Sequence, residues 1–310
     1  MSFKPSSYGR PAQGSADRTL RRLDRRAFLG IAASAFLPAL VSAGPQRLAI
    51  IDWGVLETAL AIGAVPLAAT ELRQFARIAV EPAVPASVVD LGLRGSPNYE
   101  LLRSVAPDLI LISGFYEYQL PSLERIGPVL TLPIYEAGKS PYPLALSSML
   151  ALGERVGLSG EAEHYVADTA AELQQLRTAL RSFASRPAFL ISLGDARHFR
   201  AFGADSMPGD MLTRLGIANA WRDDTSYSAA APVGIEALAR VPEASIIVIG
   251  PLPAEVSRGL PDNALWNALP AVREGRVAVL EPVNHFGGLP SARRFARLLA
   301  EAVAAKAAHD

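Results

Sequence analysis

The sequence predicts an α/β fold: two α/β lobes with mainly parallel central sheets, joined by a helical segment. Two observations point there. Short apolar runs alternate with short helical stretches at both ends of the chain, the pattern that parallel sheets and their crossover helices leave in a sequence. Between them, from about Pro143 to Phe183, the chain is almost entirely helix-forming. No low-complexity linker separates the parts, so a stiff joint is expected.

The elements follow in order. "RLAIIDW" (47–53) is a compact apolar strand, and "GVLETALAIGA" carries helical spacing with Gly63 near its stop. "ASVVDLG" reads as strand, and "GSPNYELLRSVAP" as a short helix with Pro97 near its start. "DLILISG" (108–114) is a buried strand, "LPSLERIGP" a short helix and "VLTLP" a further strand. The central stretch contains "LALSSMLALGERVG", a break at Gly157–Gly160, then "EAEHYVADTAAELQQLRTALRSF". Strand and helix alternate again from "PAFLISLG" (187–194) through "DMLTRLGIANAW", "GIEALARV", "ASIIVIG", "WNALPAV" and "RVAVLEP", with a last helix from about Ser291. The expected division is residues 44–142 for the N-terminal lobe, 143–183 for the connecting segment and 184–310 for the C-terminal lobe.

Residues 1–43 read as an export signal. The uncharged run from Ala27 to Ala43 is 17 residues long and contains Pro38. That is short for a bilayer span, which needs about 20 residues. A basic region precedes it, and Val41-Ser42-Ala43 forms a small-residue cleavage site. Arg25-Arg26 followed by Ala27-Phe28-Leu29 resembles the twin-arginine export motif, although Asp24 and Gly30 depart from its flanks, so Sec export stays open. An uncleaved N-terminal anchor is the competing reading.

Composition excludes several classes. The leader holds seven of the 30 Lys/Arg and two of the 30 Asp/Glu, which leaves 23 basic against 28 acidic residues and a net charge near −5. That balance offers no footprint for nucleic acid. Cysteine is absent. Disulfides, thiolate metal sites and cysteine nucleophiles therefore fall away together, as does a lipid-modified cysteine that would tether an exported protein. A free periplasmic protein without a membrane anchor is expected. "GLSGE" lacks the last glycine of a nucleophile elbow, "GLRGSP" is no dinucleotide fingerprint, and His164, His198, His285 and His309 are scattered. Nothing in the sequence marks an enzyme, a resident cofactor or a protein-held metal.

"PASVVDLGLRGSPNYELLRSVAPDLILISGFY" (85–116) resembles the periplasmic ferric-hydroxamate siderophore-binding proteins of bacterial ABC importers. The likeness continues through residues 47–66, 195–221 and 265–280, so it covers the mature chain in order. The resemblance implies two lobes joined by a single rigid long helix, with a ligand cleft between them. It implies that Arg94, in the "GLR" loop, and Tyr116, after the next strand, bind the iron-chelating oxygens. The chemistry agrees: chelating hydroxamate oxygens keep negative charge and lone pairs, a guanidinium is a permanently charged planar donor, and a phenol adds a neutral donor with an aromatic wall. A surface ion pair or helix cap is the competing role for Arg94, and lobe packing for Tyr116. Phe115 and Tyr118 read as wall or packing.

The other lobe departs from the family. Positions often occupied by tryptophan hold Ser228 and Asn284, with Tyr227 and Phe286 beside them as replacement surface. Ile78 and Ile112 likewise stand where tryptophan can occur. Trp53, Trp221 and Trp266 read as core. For docking to an inner-membrane ABC permease, the resemblance implies one acidic residue on each lobe. Glu236 matches in the C-lobe; the N-lobe position falls on Pro121, and Glu124, one helical turn on, is preferred to Glu117 as its substitute. A monomer that carries an Fe(III)-siderophore is the expected working form. Haem, a corrinoid or a catecholate siderophore are the alternative cargoes, and an exported α/β enzyme is the alternative of another class.

Overall fold

The computed structural model describes residues 46–223, 225 and 232–308. The export signal and the positions Tyr227 and Ser228 lie outside the described residues. The N-terminal lobe runs β1 (Leu48–Ile50), α1 (Trp53–Ala61), β2 (Ala68–Ala69), α2 (Leu72–Ile78), β3 (Val89–Asp90) and α3 (Tyr99–Ser104). It continues with β4 (Leu109–Ile112), α4 (Leu120–Leu123) and β5 (Val129–Thr131). Two helices follow, α5 (Pro141–Val156) and α6 (Ser159–Ala179). The C-terminal lobe comprises β6 (Ala188–Leu193), β7 (His198–Ala201), α7 (Met207–Arg214), β8 (Val233–Gly234) and β9 (Ser245–Gly250). It closes with α8 (Ala254–Gly259), α9 (Ala264–Ala268), α10 (Pro270–Arg273), β10 (Val277–Pro282) and α11 (Leu289–Ala307).

The first sheet has strand order β3-β2-β1-β4-β5 and is parallel throughout. Its central strands are apolar along their whole length because helices and loops cover both faces. The second sheet has order β10-β9-β6-β7-β8. β10, β9 and β6 run parallel, as expected, and β7 is antiparallel to β6 and to β8, so this sheet has a parallel part and an antiparallel edge. The reason is local. β7 alternates exposed and buried residues in "HFRA" and follows β6 through a four-residue connection, Gly194–Arg197, which suffices for an antiparallel return but not for a parallel crossover.

The connecting segment is two helices, parted at the break the sequence marks. Gly157, with φ +75°, caps α5 in the left-handed conformation that glycine adopts without steric cost, and α6 starts two residues later and packs on α5. α11 contacts α6, α5, α7 and α1, which brings the last helix of the chain back onto the first. A single apolar core therefore runs from β1 and α1 through α5 and α11 to Leu190 and Ile247 of the second sheet. Smaller clusters fill the outer side of each sheet.

Candidate functional site

In a parallel sheet the loops leaving the carboxyl ends of the strands gather on one edge, and ligands bind there. The N-lobe follows this rule. Asp52 and Trp53 come just after β1, Glu71 after β2, Arg94 after β3, Phe115 and Tyr116 after β4, and Tyr135 after β5. Across from them stands the 283–288 loop that leaves β10. A recess of about 200 Å³ lies between, lined by Asp52, Trp53, Gly54, Arg94, Phe115, Tyr116 and Phe286. Three of the ligand-binding candidates named from the sequence, Arg94, Tyr116 and Phe286, thus share one recess, with Phe115 and Trp53 beside them.

Arg94 is held on three sides. Its guanidinium carbon lies 3.7 Å from the centroid of the Trp53 ring, a cation–π stack. Its Nε donates to Glu71 Oε2 at 2.7 Å and its backbone N–H to Glu71 Oε1 at 3.3 Å. Gln119, buried, donates from Nε2 to the Arg94 carbonyl at 2.8 Å, which pins the loop itself. Among the described residues, the two terminal NH2 groups of Arg94 have no hydrogen-bond partner. The guanidinium is therefore positioned by its inner edge and presents its outer edge.

The supports of that arrangement are themselves fixed. Trp53 Nε1 donates to the Thr70 carbonyl at 3.1 Å, and Thr70 Oγ1 donates to the Ile51 carbonyl. Asp52 caps α1, accepting from Val55 N at 2.9 Å and from Ser113 Oγ at 2.8 Å. Burial pushes the Asp52 carboxyl above its ordinary value, against those hydrogen bonds and the nearby Arg94 charge. Glu71 sits at φ +50°, a left-handed conformation that costs a non-glycine residue about 1–2 kcal/mol. In the folded protein that backbone carries its carboxylate to Arg94. Burial, with Asp52 adding to it, pushes the Tyr116 phenol up to about 12, so the hydroxyl keeps its proton and can donate; it has no hydrogen-bond partner among the described residues.

Aromatic rings continue the wall. Phe115 meets Tyr135 at 5.7 Å and Phe286 edge-to-face at 5.8 Å. Tyr135 OH donates to the carbonyls of His285 and Gly287, each at 3.0 Å, tying the first lobe to the 283–288 loop. The His285 ring lies 4.5 Å from Phe286 and 5.2 Å from Phe202. Burial, with Arg200 and Arg94 repelling a second charge, pushes His285 down to about 4. Tyr118 is exposed and donates from its hydroxyl to the Gly95 carbonyl at 3.2 Å.

Two sequence readings change here. Trp53 is not core alone: it is the platform on which Arg94 lies. Asn284 does not line the recess. It is buried, and its Nδ2 donates to Glu57 Oε2 at 3.3 Å. Glu57, fully buried on α1, also accepts from Gly288 N at 2.6 Å, Ser291 N at 3.1 Å and Ser291 Oγ at 2.7 Å. Those backbone donors belong to the first turn of α11, whose own cap residue Gly288 has no side chain to offer. A carboxylate from one lobe therefore caps a helix of the other, and Asn284 completes its coordination. Burial pushes Glu57 up to about 7 despite these four donors. Close packing suits the role: a side chain on Gly54 would meet Phe286 O at 2.9 Å, and one on Gly287 would run into Glu57 Oε1.

Ile112 is fully buried in β4, whereas Ile78 lines a second recess beyond Glu71. Trp221 and Trp266 are buried in the second lobe. Glu124 is exposed at the C-terminal end of α4. Glu236 is exposed in the first turn of the 3-10 helix Ile235–Arg240 that follows β8, beside Arg197, His198 and Asn263. No helix among the described residues is long and apolar enough to cross a membrane.

Two α/β sheets, helices packed between them and a recess at the strand ends define a two-lobed binding protein. The chain belongs to the periplasmic binding protein family, which it matches over residues 48–283. It is 30% identical over 263 residues to the iron(3+)-hydroxamate-binding protein FhuD of Escherichia coli (strain K12), covering 85% of this chain and 88% of that one. Among solved structures it is similar to FhuD from Vibrio cholerae bound to Fe3+-Desferal, with TM-score 0.79 and 27% identity over 83% of this chain and 97% of that one. The catecholate-siderophore binding protein VctP from Vibrio cholerae, at 17% identity and TM-score 0.63 over 84% and 94% of the two chains, shares the fold.

Proposed function

We propose that this protein captures a ferric hydroxamate siderophore and delivers it to an inner-membrane ABC permease, without catalysis. The observation that carries the reading is the outer edge of Arg94: two NH2 groups with no partner among the described residues, beside the protonated Tyr116 hydroxyl in the same recess. Chelating hydroxamate oxygens are partly anionic acceptors, and charge-assisted donors in a fixed plane match them. The iron then keeps all its ligands from the siderophore and the protein supplies none. The similarity to the Escherichia coli and Vibrio cholerae hydroxamate binders supports the same cargo.

The recess of about 200 Å³ is smaller than pockets that enclose drug-sized ligands, which run about 300–1,000 Å³. It takes the oxygen face of the chelate, and the rest of the siderophore lies against the lobes around it. The protein is a soluble periplasmic monomer after removal of residues 1–43 by twin-arginine export, and Glu124 and Glu236 are the carboxylates that meet the permease.

Calorimetric titration of the purified protein with iron-loaded and iron-free siderophores tests the cargo. One-to-one binding of a ferric hydroxamate, with the iron-free form much weaker, is the expected result. Binding of a ferric catecholate, haem or corrinoid in its place would move the cargo to that class. Binding of none by a folded protein would end the siderophore reading.

A further inference from the structure

Beyond the Glu71–Arg94 pair the cleft opens into a second recess of about 610 Å³, lined by Glu71, Arg73, Gln74, Arg77, Ile78, Asp90, Gly92, Leu93 and, from the second lobe, Pro251. Glu71 lines this recess and Arg94 the first, so their ion pair stands between the two. Arg73 and Arg77 sit four residues apart on α2, on the same face. Like charges at that spacing repel, and neither guanidinium has an ion pair or hydrogen bond among the described residues.

The acidic groups of the recess are engaged elsewhere. Both Asp90 oxygens accept backbone N–H groups, Oδ2 from Leu72 at 3.1 Å and Oδ1 from Gly92 at 2.9 Å. Glu71 is held by Arg94. Glu81, just past α2, pairs with Arg297 and Arg294. Leu93, 65% exposed, and Ile78 add an apolar strip on the same wall. The recess thus sets apolar surface beside two uncommitted cations.

We propose that this second recess selects siderophores whose arm, a methylene spacer ending in a free carboxylate, extends past the chelate, with Arg73 and Arg77 receiving that carboxylate. The inference rests on the ferric-hydroxamate reading. A ligand series with one chelate and three tails separates the two: ferric desferrioxamine B with its free ammonium tail, its N-acetyl derivative and its N-succinyl derivative, which ends in a carboxylate.

Calorimetry at 50 mM NaCl should rank the succinyl form about tenfold tighter than the acetyl form and the ammonium form weakest. The preference should shrink in 500 mM NaCl, because exposed charges are screened. In the Arg73→Gln/Arg77→Gln double variant, the ratio of succinyl to acetyl affinity should fall to near one. Equal binding of all three tails overturns this inference and leaves the cargo reading standing. A succinyl preference that survives in the double variant overturns the role of these arginines. Failure of all three ferric ligands to bind overturns both readings together.

Discussion

The two walls of the cleft are held by different means. The N-lobe wall is built from side chains that lock one another on a single edge: Thr70 holds Trp53, Trp53 and Glu71 hold Arg94, and Gln119 holds the Arg94 loop. The 283–288 loop opposite is held from the other lobe, through Glu57 below it and Tyr135 beside it. The first wall can therefore be altered at its ligand edge without touching the joint. The second cannot, because the residues that place Phe286 also tie the lobes together. A rigid contact of that kind limits how far the lobes can part when cargo enters, which distinguishes a shallow closing motion from a wide hinge.

The largest effect that separates the walls is expected at Glu57. Replacing it with leucine keeps the volume but leaves Gly288 N, Ser291 N, Ser291 Oγ and Asn284 Nδ2 buried without their acceptor. Each unsatisfied buried group costs about 1–3 kcal/mol before relaxation, so Glu57→Leu should lose at least about 3 kcal/mol of stability. Denaturant unfolding followed by circular dichroism reads this as a lower midpoint. A loss under 1 kcal/mol would mean that the cap on α11 does not hold the second wall.

The next effect belongs to the first wall. Arg94→Ala removes charge-assisted contacts worth about 1.5–3 kcal/mol, so affinity for the ferric siderophore should fall about tenfold or more. Glu71→Gln keeps the guanidinium but loosens its inner edge, and a smaller fall of a few fold is expected. Calorimetry on both variants gives the order. If Glu71→Gln costs as much as Arg94→Ala, positioning rather than contact dominates; if neither changes affinity in a folded protein, the recess is not where the chelate binds.

Much of this architecture was legible in the sequence. The strands that read as apolar runs, such as "LILI" and "SIIVIG", are the buried central strands. β2 left no such mark, because two alanines do not make a run. β7 did leave one, the alternation in "HFRA", which a search for buried parallel strands passes over. Arg94 and Tyr116, which share the recess, were named through the likeness to a known family, while Glu71 was not, since nothing local announces a glutamate in a left-handed conformation. Trp53 could have been placed by its position just after the first strand. Asn284 was misplaced because its partner lies 227 residues away. The clue was Glu57 itself, a lone charge within the apolar helix "WGVLETALA", which needs a buried partner to be tolerated there.

The smallest net change is expected in the wild type's response to pH, because the sign differs between neighbours in the second wall. Glu57 is raised to about 7 from an ordinary value of 4.5. The folded state therefore holds its proton more tightly, and the stability this contributes is present below pH 4.5 and lost as pH rises through 7. His285 is lowered to about 4 from 6.5. Its contribution is present above pH 6.5 and lost as pH falls through 4. Between about pH 4.5 and 6.5 the two slopes oppose each other, so the thermal midpoint of the wild type should change little from this pair. Glu57→Gln removes one slope and should leave stability rising with pH across that window; His285→Gln removes the other and should leave it falling. Melting curves at half-unit steps of pH read both. Parallel slopes in the two variants would mean that neither group titrates as its burial requires, and that ionisation does not link the loop to the clasp beneath it.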